Sequence, residues 1–138
     1  MNVYQKEIRF APKQRGFHLV TDEILKHIDI SDFQVGLATL FIKHTSASLS
    51  INENADRTVR DDMESFFNQT CDNKEYYTHT YEGDDDMPSH IKSTMIGASI
   101  TIPVTNGRVN LGTWQGIYLN EHRDYGCSRT VVVTVMGK

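Results

Sequence analysis

SITIPVTNGRVNLGTWQGIYLNEHRDYGCSRTVVVTVMG, residues 99–137, is the stretch whose reading decides the fold. It divides into four short runs rich in β-branched and aromatic residues: Ser99 to Val104, Arg108 to Leu111, Gln115 to Glu121 and Arg129 to Met136. Asn106-Gly107 is a hairpin signal, because a tight hairpin turn needs positive φ at both central residues. Four strands in succession with short turns favour antiparallel pairing, since parallel strands need long crossovers. Gly112 and Gly116 bracket the only tryptophan and mark a bulge or a close backbone approach. Trp114 suits an aromatic pocket or a core position.

Outward from this stretch, Val3 to Phe10 alternates as a half-buried or edge strand, and Pro12 to Gly16 turns the chain. Phe17 to Val20 reads as a short strand, and Thr21 as the cap of a helix running to Ile30. Val35 to Lys43 is a strongly apolar strand; Ser48 to Ile51 is another, or the same one beyond a bend. Asn54 is read as the cap of a helix from Ala55 to about Asn68, with Ala55, Val59, Met63 and Phe66 at helical spacing. Asp56, Arg60 and Glu64 stand four apart as a surface ion ladder. Residues 70–86 are polar, with Tyr77, His79 and Tyr81 alternating like a strand. Pro88 suits the first turn of a short helix and Gly97 its C-terminal end. The expected fold is α+β: a single domain over residues 1–138, a mostly antiparallel curved sheet, sandwich or barrel-like, with about three helices packed outside.

The chain has 138 residues, 38% hydrophobic and 23% charged, which is ordinary for one globular domain and too short for a TIM barrel. No apolar run reaches the ~20 residues of a membrane span. The first ten residues, with Lys6, Glu7 and Arg9, lack the apolar core of a signal peptide, so a cytoplasmic protein is expected. Cys71 and Cys127 form no CxxC and are read as reduced thiols. Net charge is −4, and residues 47–92, with four basic and eleven acidic side chains, carry −7. That balance argues against nucleic acid, whose binding runs on phosphate neutralisation, and permits a cation.

Six histidines are present, and His44, His79, His90 and His122 lie at turns or strand ends. His44 opens HTSAS at the end of an apolar strand. His79 and His90 bracket Glu82, Asp84, Asp85 and Asp86, and adjacent aspartates repel unless solvent, a helix N-terminus or a cation relieves them. Imidazoles with a carboxylate or water suit Zn²⁺, whereas an all-oxygen shell suits Mg²⁺. His44, His79 and His90 are the candidate ligands, with Glu53, Glu82 or a water completing the shell and serving as general base. His122 is a reserve ligand, pointing away from Glu121. Glu121 and Arg123 share a strand face and could enter a pocket rim as an ion pair; an ordinary strand-end salt bridge fits equally. There is no GxxxxGK[ST], GxGxxG or GxSxG.

Three stretches, HTSASLSINENAD (44–56), YEGDDDMPSHIK (81–92) and LGTWQGIYLNEHRD (111–124), resemble the YjbQ family, described as secondary thiamine-phosphate synthase enzymes. The resemblance extends over nearly the whole chain. It implies a homotrimer, with the HTSAS, Y-x-H and PSH histidines, here His44, His79 and His90, on one metal pocket. Asp86 departs from the pattern, standing where many members have Asn. The implied reaction joins an aminopyrimidine diphosphate to a thiazole phosphate with release of pyrophosphate. Such chemistry calls for a divalent metal and for cationic clamps, and Lys92, Arg108, Arg123 or Arg129 are the candidates. The ligand would be a small phosphorylated heterocycle. A noncatalytic metal- or small-ligand-binding module is the alternative that the same residues allow.

Overall fold

The computed structural model describes residues 1–138 as eight strands and three helices. Five strands form one antiparallel sheet: β1 (Asn2–Phe10), β8 (Arg129–Gly137), β3 (Val35–Ile42), β5 (Ser99–Thr105) and β6 (Arg108–Val109), in that spatial order. Three form a second: β2 (Gln14–Leu19), β7 (Gln115–Tyr125) and β4 (Ala47–Glu53). All pairings are antiparallel. No helix is long and apolar enough to cross a membrane.

The core lies between the sheets. Along β8, Val131, Val133 and Val135 are fully buried while their neighbours are half-buried or exposed, the period of two that a one-faced strand demands. Ala38, Leu40 and Ile42 from β3 and Ile102 and Val104 from β5 meet Leu49, Ile117 and Leu119 of the other sheet. β7 is buried continuously from Gly116 to His122. One of its faces meets this core; the other lies under α2 (Arg57–Cys71) and α3 (Asp86–Ile96), which pack on the three-stranded sheet. Gly116 is a close approach, since a Cβ there would collide with the Leu19 side chain.

Several local readings are corrected. The first helix, α1, is only Thr21–Leu25, and the Thr21 hydroxyl caps nothing: it accepts from the Ile117 backbone N–H at 2.8 Å. Beyond it, Asp29 Oδ1 accepts from both the backbone N–H and the hydroxyl of Ser31, a local turn that competes with continued helix. Asn54 does not cap α2. Its amide donates to the carbonyls of Thr113 and Gln115, and Asp56 takes the cap by accepting from Thr58 N–H at 2.9 Å. Asp56 is thereby lost to the expected ion ladder, and Glu64 pairs instead with Arg15 at 3.2 Å. Phe66 points to solvent. Tyr77, His79 and Tyr81 form no strand; Tyr77 turns back and donates to the carbonyl of Cys71 at the end of α2. Ser48 to Ile51 belongs to β4, in the opposite sheet from β3. Trp114 is neither core nor enclosed, being 65% exposed. Both cysteines are free.

Candidate metal centre

Asp86 opens α3 and is 2% exposed. Four residues on, His90 shares its helix face, and the loop before α3 brings His79 over both. His79 Nε2 donates to Asp86 Oδ2 at 2.7 Å, and His90 Nε2 stands 3.1 Å from the same oxygen. The ligand atoms of His79, Asp86 and His90 all lie within 4.8 Å of one another. Burial raises the Asp86 carboxyl, but the His79 hydrogen bond and the His90 and Arg123 charges outweigh it and hold it below the ordinary carboxylate range.

Arg123 supplies the compensation that Asp85 and Asp86 need, while Asp84 lies in solvent. Its Nη1 donates to Asp86 Oδ1 at 2.8 Å, its Nε to Asp85 Oδ2 at 2.9 Å and its Nη2 to the Glu82 carbonyl at 2.9 Å. Asp85 also caps the backbone N–H of Asp124 at 2.9 Å. The remaining Asp86 oxygen, Oδ2, is the one left facing the two imidazoles.

The outer shell bears on the tautomers. His90 Nδ1 lies 2.8 Å from the Thr45 carbonyl, which can only accept, so Nδ1 carries the proton and Nε2 is aimed at Asp86. His44 lies outside the group, because its Nε2 is occupied in accepting from the Thr130 backbone N–H at 2.9 Å. Burial, then the Arg129 charge, pushes the His44 pKa down and keeps that nitrogen unprotonated. Within this chain His44 therefore does not join His79 and His90, and the third group beside them is Asp86.

The other nominated residues are placed as follows. Glu53 accepts from the Asp56 N–H at 3.0 Å, at the far end of β4. Glu82 offers Arg123 its backbone carbonyl while its side chain is exposed. Glu121 is completely buried and pairs with Arg129, at 2.5 Å and 2.8 Å, rather than with the Arg123 guanidinium. Lys92, 1% exposed, is held under α2 by Asn68 Oδ1 at 2.8 Å and Asp72 Oδ1 at 2.9 Å, so it cannot reach a phosphate. His122 faces the helix side of β7, with Nε2 2.8 Å from Ser48 Oγ. The sequence signal missed was Asp86-x-x-x-His90: once α3 starts before Pro88, that i,i+4 pair must share a face.

His79 borders a cleft of about 220 Å³ lined also by Lys74, Tyr77, Thr80 and Asp84. The His79 and His90 side chains are 48% and 30% exposed, so the group is open to solvent on one side.

A family model described as UPF0047 protein YjbQ-like matches residues 6–138. The chain belongs to the YjbQ family. UPF0047 protein YjbQ of Escherichia coli is 54% identical over 98% of this chain and 99% of its own. The family relative YugU of Bacillus subtilis is 36% identical over 86% and 87%. Among solved structures, a YjbQ/UPF0047 family protein of Clostridium acetobutylicum, described as uncharacterized, superposes with a TM-score of 0.77 at 33% identity, covering 99% of this chain and all of that one. A protein of Sulfolobus solfataricus, described as YbjQ-like and of unknown function, gives 0.85 over 99% of both chains; at 24% identity it supports the fold.

Proposed function

We propose that this member of the YjbQ family holds a divalent cation on His79, Asp86 and His90 and uses it on a small phosphorylated heterocycle. One observation carries the cation. His90 spends its Nδ1 proton on Thr45, which leaves Nε2 turned toward Asp86 Oδ2 at 3.1 Å. That contact is satisfied by a second proton on the ring or by a metal between the two atoms, and the convergence of His79 Nε2 on the same oxygen at 2.7 Å favours the metal. Zn–N and Zn–O bonds of about 2.0–2.2 Å join donors up to about 4.4 Å apart, so a cation would draw the three ligand atoms, now within 4.8 Å of one another, slightly together. Two nitrogens and one oxygen suit Zn²⁺ better than Mg²⁺, which prefers oxygen throughout. A bound cation would supply charge to the oxygens of a departing pyrophosphate, and Lys74 is the cation lining the adjoining cleft.

The thiamine-phosphate synthase reaction is the finer part of the proposal and rests on the family resemblance. The homotrimer is a second part. A cleft of about 220 Å³ is small against the roughly 300–1,000 Å³ of small-molecule sites, which favours completion by a neighbouring subunit. The outer face of the five-stranded sheet carries exposed Val3, Leu37, Phe41 and Met136, a surface suited to subunit contact.

Purified protein stripped of metal, then titrated with Zn²⁺ or Mg²⁺, should bind Zn²⁺ more tightly, and His90→Ala should weaken that binding by orders of magnitude. Pyrophosphate release from the aminopyrimidine diphosphate and thiazole phosphate should appear only with metal. Metal binding without turnover on these substrates would leave the noncatalytic module as the reading. Equal affinity in wild type and His90→Ala would remove the metal site.

A further inference from the structure

Glu121 and Arg129 form a buried ion pair at one end of the core, between β7 and β8. Such a pair is a poor source of stability, because the cost of desolvating two charges often exceeds their attraction; apolar residues of similar volume commonly do as well. Its contacts lead elsewhere. Arg129 Nη2 donates to the carbonyl and hydroxyl of Ser46, at 3.3 Å and 3.0 Å. The preceding residue, Thr45, holds His90 Nδ1 through its carbonyl. His90 meets Asp86, Asp86 Oδ1 is held by Arg123 Nη1, and the Arg123 backbone N–H donates to Glu121 Oε2 at 3.2 Å. Glu121, Arg129, the 45–46 turn, His90, Asp86 and Arg123 thus close a ring that starts and ends on the Glu121 carboxylate. Gly126 packs so tightly on that carboxylate that an added Cβ would overlap it.

We infer that Glu121 and Arg129 are positioning residues: together they hold the 45–46 turn so that the Thr45 carbonyl fixes the His90 ring with Nε2 aimed at Asp86. The geometry of this inference stands on the hydrogen bonds alone; its consequence for metal affinity rests on the reading of the centre proposed above. Neither side chain touches a ligand. Their effect passes through His90, as with outer-shell partners of metal-bound histidines generally.

The test uses the Glu121→Gln/Arg129→Met double variant, which removes both charges at once, and Gly126→Ala, which displaces the carboxylate without deleting it. Circular dichroism reports folding, ¹⁵N NMR of the metal-free protein reports the His90 tautomer, and chelator competition reports Zn²⁺ affinity. In wild type, His90 should carry its proton on Nδ1. In a folded double variant that preference should be lost, and Zn²⁺ should bind about 10- to 100-fold more weakly. Gly126→Ala should move both readouts in the same direction, and it decides the matter if the double variant does not fold. A folded variant with His90 still protonated on Nδ1 and Zn²⁺ affinity unchanged would overturn the inference. A tautomer change in a protein that binds no Zn²⁺ in any form would uphold the positioning and refute the metal reading.

Discussion

His122 is held neutral at a cost that pH should expose. Its ring lies edge-on to Phe17 at 6.0 Å, and burial, then the charges of Lys92, Arg15 and Arg129, brings its pKa down to about 3. In the unfolded chain the same imidazole titrates near 6.5. A histidine whose folded pKa is depressed contributes stability that is present above about 6.5 and is lost as pH falls toward the folded value. Urea midpoints should therefore decline between pH 7 and pH 5, and His122→Gln should flatten most of that slope; His44, depressed in the same sense, should supply a smaller remainder. An unaltered slope in His122→Gln would show that the proton is not withheld there. At this scale the sequence was partly legible. His79 and His90 stood out by the carboxylates around them, and the structure brings them together. His44 looked equivalent, but one backbone N–H from a strand 86 residues away occupies its Nε2, and no local pattern announces that bond. Likewise Asn54 and Asp56 are both good caps, and only the distant carbonyls of Thr113 and Gln115 decide between them.

Among the elements, α2 and α3 are tied to each other and to β2 through charge. Arg15 on β2 donates to Asn68 at 2.7 Å and to Asp72 at 2.5 Å, and Lys92 on α3 reaches the same two residues. Asp72→Asn should leave Lys92 buried without a carboxylate and cost about 3 kcal/mol, measured by chemical denaturation at neutral pH. A loss below 1 kcal/mol, within the ordinary scatter of surface changes, would mean that water or Asn68 suffices for Lys92. Strands were the most legible elements, because β3 and β8 are apolar, β-branched runs and Asn106-Gly107 marks its turn, with φ of 50° and 77°. The alternation of Tyr77, His79 and Tyr81 misled, since period two makes a strand only where a neighbour offers a ladder, and Tyr81 stands fully in solvent.

For the whole molecule, helices cover the three-stranded sheet while the outer face of the five-stranded sheet presents Val3 opposite Met136 and Met136 opposite Leu37. Sedimentation at micromolar concentration should give three times the chain mass; a stable monomer would end the trimer proposal. The antiparallel pairing followed from residues 99–137, and the α+β class from adding the three helices read before them. The division into two sheets did not, because β3 and β4 are neighbours in sequence and differ only in which late strand each finds: β8 for β3, β7 for β4.

That dependence on late strands governs how the chain can be made. β8 sits between β1 and β3, with Asn2 opposite Gly137 and Phe10 opposite Arg129. During synthesis β1 has no ladder partner until residues 129–137 have been made, since its one neighbour in the sheet is β8. Domains generally fold as units during synthesis, and exposed strand edges are prone to aggregate. The nascent chain should therefore leave the five-stranded sheet open, and dependent on chaperones, until β8 has emerged from the ribosome. A chain ended after Ser128 should show no cooperative unfolding transition by circular dichroism, and one that melts as sharply as the full protein would show that β1 and β3 can close the sheet without it.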